Sequence, residues 1–412
     1  GDLNIALLPK QTRGETVTVC MKFKSGDEKN LFGKANLQPV AAAMLTRGTK
    51  TMTRSEIEDR MTELKMAGSI TNFTTTRKNL PAALELVFDA MHNSIMPQDE
   101  FDQFKKQMQV MIESMRDKPD ALAQNAITQH FNTYPKGDPR YEYSLDESLE
   151  QLNKLTVDQV RAFYKEFGGT SRGEISIVGD FDPKAVEKII RDDYAKYVSK
   201  AHYAPVVTEY RPVKATRVVI DTPDKENAII VARSVFPIND TAPDAPALTV
   251  ANWILGGGTG LSNRLIERLR QKEGLSYGAG SHVRIPAKGD NGSFVFRAIV
   301  APQNMLQAEA SARDVIAKAI KDGFTDQEVE EAKKGLLQAM QVARSQDDVV
   351  ARSWNDKMEN QRTWVFSKKQ AEAISKLTTA DVNAALRKYI KPDEITFVLA
   401  GDQKKAAQKK QD

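Results

Sequence analysis

Residues 247–283 read ALTVANWILGGGTGLSNRLIERLRQKEGLSYGAGSHV, and this stretch decides how the rest of the chain is interpreted. Small and apolar residues precede the glycines at helical spacing, at Leu248, Ala251 and Leu255. Leucines at 261, 265 and 269 mark one face of a second helix, which ends near Gly274. Residues 275–283 then read as extended chain. The stretch therefore predicts helix, glycine-rich loop, helix and strand, with Arg270 and Tyr277 facing each other across the helix-to-strand turn.

The glycine-rich segment Gly256-Gly257-Gly258-Thr259-Gly260 looks at first like a nucleotide-binding loop. A phosphate loop needs a strand before it and a Gly-Lys-Ser/Thr ending, and neither is present. We therefore exclude nucleotide binding and predict that these glycines serve a turn or a close approach between backbone segments.

Two segments of this stretch resemble the second domain of the pitrilysin/insulinase family of zinc peptidases, the inverzincins. They are Gly-Gly-Gly-Thr-Gly-Leu-Ser-Asn-Arg-Leu at 256–265 and Leu-Arg-Gln-Lys-Glu-Gly-Leu-Ser-Tyr at 269–277. In that family an Arg and a Tyr with this spacing contact the substrate from the domain opposite the zinc. The resemblance covers nearly the whole chain, and it fits best the zinc-free half or subunit of a bacterial member.

The chain length and composition describe a globular protein of more than one domain. At 412 residues it exceeds one ordinary core and suggests two domains of about 200 residues each. The net charge is +4, but Lys and Arg are scattered among Asp and Glu, so nucleic acid is not an expected partner. No apolar run is long enough for a membrane helix. The single cysteine, Cys20, lies in a strand-like run and is interpreted as a buried small hydrophobe rather than a reactive thiol.

The second half of the chain repeats the plan of the first. Lys-Leu-Thr occurs at 154–156 and at 376–378, and each time a helix and then a strand ending in Gly-Asp follow, at 179–180 and 401–402. The offset is 222 positions in both cases (376 − 154 and 402 − 180), which indicates a duplication. Strands come first in each half, helices follow, and a final strand closes it.

This repeat predicts an α+β protein of two duplicated domains, 1–200 and 201–412, joined by a linker at 200–212. Each domain is expected to be a mostly antiparallel sheet covered by helices. The resemblance implies that the two together form half of the clamshell of a pitrilysin-like peptidase.

The zinc-binding motif of the family is absent from the first domain. An active member carries His-x-x-Glu-His on the first long helix, where the histidines bind zinc and the Glu activates water. Residues 44–49 match the segment after that motif, so counting back places Pro39, Ala42 and Ala43 at the His, Glu and His positions. The family's third zinc ligand falls near Glu113, which we interpret as a solvated helix carboxylate.

The four histidines, at 92, 130, 202 and 282, are too dispersed to replace the motif. We expect no metal or other cofactor in this chain, and zinc only in a partner half.

The resemblance implies that Arg270 holds a substrate carbonyl and that Tyr277 donates its hydroxyl to the scissile carbonyl. Without the resemblance, Arg270 is explained by a helix C-terminus and Tyr277 by packing at a strand start.

Two hypotheses about function remain open. The chain is either the non-catalytic half of a zinc endopeptidase that acts on unfolded peptides with a zinc-bearing partner, or a structural scaffold subunit. The expected location is periplasmic or secreted in a bacterium, and a cytoplasmic location stays open, because a single cysteine is compatible with either compartment. The resemblance also predicts pairing of two copies when the partner half is absent, because a half clamshell exposes an apolar surface.

Overall fold

The computed structural model describes residues 2–169, 171–194, 196–258 and 263–408. Within these ranges the first half has five strands and eight α-helices: β1 (Asp2–Pro9), β2 (Thr16–Lys24), α1 (Leu37–Met44), α2 (Arg54–Glu63), β3 (Ala67–Ser69), β4 (Asn72–Thr76), α3 (Leu80–Asn93), α4 (Gln98–Met115), α5 (Pro119–His130), α6 (Leu145–Lys154), α7 (Val157–Phe167), β5 (Arg172–Gly179) and α8 (Pro183–Tyr194).

The second half, within the described residues, repeats five strands and eight helices: β6 (Arg217–Asp221), β7 (Ala228–Pro237), α9 (Ala245–Asn252), α10 (Arg264–Ile266), β8 (Ser276–Arg284), β9 (Asn291–Val300), α11 (Met305–Asp322), α12 (Asp326–Ala343), α13 (Asp347–Glu359), α14 (Trp364–Lys376), α15 (Thr379–Tyr389), β10 (Thr396–Gly401) and α16 (Gln403–Gln408). Two π-helical turns extend this series. Trp253–Gly257 continues α9, and Glu267–Lys272 continues α10.

The two sheets have the same strand order, which confirms the predicted α+β duplication. The first runs β1-β5-β2-β4-β3 and the second β6-β10-β7-β9-β8. In each sheet the first and last strands along the chain, β1 with β5 and β6 with β10, pair in parallel, and the other pairs are antiparallel. Strands β3 and β4 form a hairpin that turns at residues 70–71.

Helix starts follow the capping pattern in the sequence. Thr53 accepts a hydrogen bond from the backbone N–H of Glu56, whose carboxylate accepts one from the Thr53 N–H in return. Thr156 and Thr378 cap α7 and α15 in the same way. Equivalent side chains therefore begin equivalent helices in the two halves.

Each sheet buries one face on the helices of its own half and the other face against a helix from the other half. Helix α5 lies on β7 and β10 of the second sheet, while α13 lies on β2 and β5 of the first. The sequence predicts neither placement. Strand β5 is buried along nearly its whole length because both of its faces are covered.

The contact of α13 with the first sheet includes a buried polar network. Asn355 is fully buried, and its amide donates to the Cys20 carbonyl at 2.9 Å and accepts from the Ser176 hydroxyl. That hydroxyl also contacts the Ala351 carbonyl at 2.7 Å. Cys20 is buried beneath the helix, and burial raises the pKa of its thiol, as expected of a packing residue rather than a reactive one.

Candidate functional site

The glycine-rich segment begins in the π-helical turn that follows α9, and this turn packs against β8. A Cβ at Gly256 would lie 2.7 Å from the Ser281 backbone N, and one at Gly257 would lie 2.3 Å from the Asn252 side-chain amide. The Ser281 hydroxyl in turn donates to that amide's oxygen at 2.8 Å. Close approach of the turn to β8 is therefore the reason for glycine at 256, and close approach of the turn to Asn252 of α9 is the reason at 257, as predicted. Thr259, Gly260, Leu261 and Ser262 lie outside the described residues.

Helix α10 and its π-helical continuation are fixed by a cap, by leucines and by arginines. The Asn263 side chain accepts from the Ile266 N–H at 2.9 Å, and Leu265 and Leu269 are fully buried. Arg264 forms a bidentate ion pair with Glu328 at 2.7 and 2.8 Å. These contacts hold the segment firmly against the second core.

Arg270 differs from the arginines that precede it. Arg264 binds Glu328, and Arg268 binds Glu273 at 2.6 Å. Arg270 is exposed, and no hydrogen bond or ion pair joins it to another residue in the part of the chain that the structure describes. No described residue therefore occupies the donors of its guanidinium.

Tyr277 stands at a β-bulge in the edge strand β8. Ser276 pairs with Val300 and Gly278 with Ile299, so Tyr277 is the extra residue between two consecutive pairs. The Ser276 hydroxyl closes the bulge: it donates to the Ile299 carbonyl at 2.9 Å and accepts from the Gly278 N–H at 3.1 Å. The Tyr277 side chain is 65% exposed. A bulge redirects a side chain, and this one directs Tyr277 outward.

The turn between the two residues and the strand beyond them complete the site. Gly274 ends the helix with φ of +60°, a left-handed conformation that favours glycine, as its predicted terminal place requires. Beyond Tyr277, β8 and β9 form a shallow hollow of about 370 Å³, whose lining includes Gly278 and Gly280. The bulge was not predicted from the sequence, where glycine inside a strand was the available signal.

The degenerate zinc-motif positions lie together on α1 in the first half. Pro39 and Ala42 are exposed and Ala43 is half-buried. None of these side chains carries a donor atom, so the helix does not fit zinc. Glu113 on α4 is exposed and lies 3.5 Å from Arg116, which fits the solvated carboxylate predicted there.

The histidines lie apart from one another, and three of them have separate contacts. His92 stacks on Tyr197 with ring centroids 5.1 Å apart, and burial lowers the pKa of its imidazole. His130 contacts the Lys214 carbonyl at 2.9 Å, and His202 contacts Asp27 at 3.2 Å. Across the described ranges, no group of three or more His, Cys, Asp or Glu could hold a metal ion.

Comparison with known proteins shows which family this chain resembles in sequence and in fold. Residues 154–336 match the family model described as Peptidase M16 inactive domain. The resemblance to the inactive, zinc-free part of this peptidase family, drawn from the sequence, is thereby confirmed.

Individual relatives carry both peptidase and non-peptidase names. An uncharacterized zinc protease of Mycobacterium tuberculosis is 24% identical over 299 residues, which are 69% of this chain and 66% of that protein. The chain thus spans slightly less than two thirds of that relative. A non-peptidase homolog, YmxG of Helicobacter pylori, is 20% identical over 404 residues, covering 93% of this chain and 89% of the homolog.

Solved structures of the same fold agree with the two-sheet architecture. The peptidase M16 inactive domain from Pseudomonas fluorescens superposes with a TM-score of 0.81 at 20% identity, covering 97% of this chain and 95% of that one. The periplasmic protease PqqL from Escherichia coli gives a TM-score of 0.68 at 14% identity, covering 95% of this chain but only 43% of PqqL. The chain therefore has the fold and size of about half of such a protease. None of its described helices is long and apolar enough to cross a bilayer.

Proposed function

We propose that this chain is the non-catalytic half of a zinc metalloendopeptidase, which binds an unfolded peptide and completes the active site of a His-x-x-Glu-His-bearing partner half. The observation that carries the proposal is the contrast among neighbouring side chains. Arg264 and Arg268 are tied into the fold, whereas Arg270 is exposed and unpaired among the described residues. Tyr277 is directed outward by a bulge that its neighbours close.

Each residue has a defined part in this proposal. The Arg270 guanidinium donates to a backbone carbonyl of the bound peptide and fixes its register. The Tyr277 hydroxyl donates to the scissile carbonyl as negative charge develops on its oxygen. One such donor is typically worth about 2.7–4 kcal/mol of transition-state stabilisation. The zinc and its activated water belong to the partner half, since Pro39, Ala42 and Ala43 offer no ligand.

The partner and the location are part of the same proposal. A match to less than half of PqqL supports a second half, on the same precursor or on a separate chain. Because that structure is of a periplasmic protease, we propose a periplasmic or secreted location for this chain too. Pairing of two copies of this chain is proposed only for the isolated half, where the partner surface stays exposed.

A structural scaffold subunit is the second candidate function. The observation in its favour is the relative called a non-peptidase homolog, which matches nearly the full chain. A scaffold would use neither Arg270 nor Tyr277. The two candidates therefore differ in what substitution of those residues does to hydrolysis.

The test is zinc-dependent cleavage of an unstructured fluorogenic peptide by this chain alone, by the zinc-bearing half alone and by the mixture. We expect cleavage at full rate only in the mixture, with Tyr277→Phe lowering kcat by about 100- to 1000-fold. Arg270→Ala is expected to lower kcat/KM strongly. Lys272→Ala, two positions along the same helix end, is the matched control and should retain the wild-type rate. Wild-type hydrolysis by the Arg270→Ala/Tyr277→Phe double variant would refute the proposal and favour the scaffold.

A further inference from the structure

The first half contains a cavity of about 570 Å³ at the positions where the zinc motif is lost. Pro39 and Ala43 of α1 form one wall, and Phe104 and Met108 of α4 form another. Loop residues ending at Tyr143 and residues of α6 close the remaining sides. A cavity of this size with mainly apolar walls can enclose a small molecule or one to two large side chains.

Two amides in this cavity have unused hydrogen-bonding atoms. The Asn36 side-chain N–H donates to the Gln151 side-chain oxygen at 3.4 Å, which is a long hydrogen bond. The Asn36 oxygen and the Gln151 NH₂ group have no partner among the described residues. The Asn36 oxygen is therefore free to accept and the Gln151 NH₂ group is free to donate, which complements a peptide group with its N–H and C=O.

The charges around the cavity select against an anionic ligand. No Lys, Arg or His is among the described residues that line it. Of its two carboxylates, Asp138 is held by Arg140 at 2.7 and 2.8 Å, and Glu142 is exposed at the rim. A fatty acid or phosphate would enter without a counter-charge, at a high desolvation cost.

The second half differs at the corresponding pair of helices. Its corresponding helices are α9 and α12, and Trp253 at the end of α9 lies against α12. The indole Nε1 of Trp253 is 3.3 Å from the Cβ position at Gly335, and the ring packs on the second core. In the second half an aromatic side chain therefore packs against α12, whereas in the first half α1 and α4 line a cavity.

We propose that this cavity binds a large apolar side chain, aromatic or aliphatic, of an unfolded peptide, and that Asn36 and Gln151 hydrogen-bond the peptide group beside it. The proposal rests on the proposed function only in taking a peptide as the ligand. The cavity is a second contact point on the substrate, built from residues other than Arg270 and Tyr277. The place where the family's zinc motif would lie then selects among the side chains of the bound peptide.

The test is fluorescence anisotropy of a short, labelled, unstructured peptide with a central Phe-Leu pair, titrated with the full chain without any partner half. A peptide with Ser-Ser in place of Phe-Leu should bind at least about tenfold more weakly, since burial of the apolar side chains is lost. Ala43→Trp fills the cavity and should weaken the Phe-Leu peptide by about tenfold or more. Ala42→Trp, on the exposed face one residue away, is the matched control and should change the affinity less than about twofold.

Gln151→Leu keeps the shape of the wall and removes the amide, so the test remains decisive if Ala43→Trp fails to fold. It should weaken the peptide by about three- to tenfold. Equal affinity for the two peptides, or equal loss in both tryptophan variants, would overturn the proposal. Competition by a long-chain alcohol without an amide, unchanged in Gln151→Leu, would overturn the assignment of a peptide.

Substitution of Arg270 separates this proposal from the proposed function. Peptide affinity that falls in Ala43→Trp while hydrolysis by the mixture is unaffected by Arg270→Ala would support the cavity and refute the active-site role. The reverse pattern would refute the cavity alone.

Discussion

Asn355→Ala is predicted to detach α13 from the first sheet far more often than in the wild-type protein. The substitution removes the amide that donates to the Cys20 carbonyl and accepts from the Ser176 hydroxyl. Both groups are buried and would be left without this partner, at about 1–3 kcal/mol for each unsatisfied group. We expect a total of about 2–4 kcal/mol, because Ser176 keeps its second contact, with the Ala351 carbonyl.

The assay uses the single cysteine of the chain as its reporter. Cys20 lies beneath α13, and burial raises its thiol pKa, so a disulfide reagent reacts only when the helix lifts. The predicted cost corresponds to labelling about 30- to 1000-fold faster, after correction for the rate of the unfolded chain. Asn360→Ala, which removes an exposed amide just after the same helix, should leave the rate nearly unchanged. Equal rates in the two variants would show that the buried network does not hold α13 in place.

Three further predictions concern stability. Burial raises the pKa of the Glu359 carboxyl, but the ion pair with Lys24 and the nearby charges of Lys22 and Lys288 together outweigh burial and hold the pKa below its ordinary value. The stability that this group contributes is therefore present above the ordinary carboxyl pKa and is lost as the pH falls through the pKa of the folded state. Glu359→Gln should accordingly reduce the change in the urea midpoint between roughly pH 6 and pH 3. Gly256→Ala should cost about 1–3 kcal/mol in urea unfolding because its Cβ would collide with β8, whereas Gly278→Ala, which meets nothing within 4 Å, should cost much less. Arg264→Ala should lower the unfolding free energy by about 1.5–3 kcal/mol, and Arg264→Lys by less, since lysine keeps the charge but loses the bidentate geometry; equal losses would contradict this.

Local signals in the sequence predicted the order of elements in residues 247–283 and the duplication. Thr53 with Glu56, and Thr156 with the residues after it, carry their own start signal in a few adjacent positions. The Gly-Asp sequences at 179–180 and 401–402 correctly marked equivalent strand ends. These features depend on neighbours along the chain, so a single sequence suffices to read them.

Features that depend on distant segments were not predictable in this way. The periodicity of α13 shows that it has an apolar face, but nothing in that pattern says that the first sheet is its partner. The bulge at Tyr277 depends on how β8 meets β9, and the cavity on the spacing between α1 and α4. The positions of Pro39, Ala42 and Ala43 could be predicted from the family motif, whereas the space that their small side chains leave could not.

Because α5 and α13 each cover the sheet of the other half, the chain cannot complete its first half early in synthesis. The strands of the first sheet are all made by Gly179, but the helix that covers their second face is Asp347–Glu359. Until that helix leaves the ribosome, the sheet presents an uncovered apolar surface that includes Cys20 and Val178. The amino-terminal half must wait in an incomplete state for more than a hundred further residues, and an isolated fragment ending at the linker would keep that surface permanently open to aggregation.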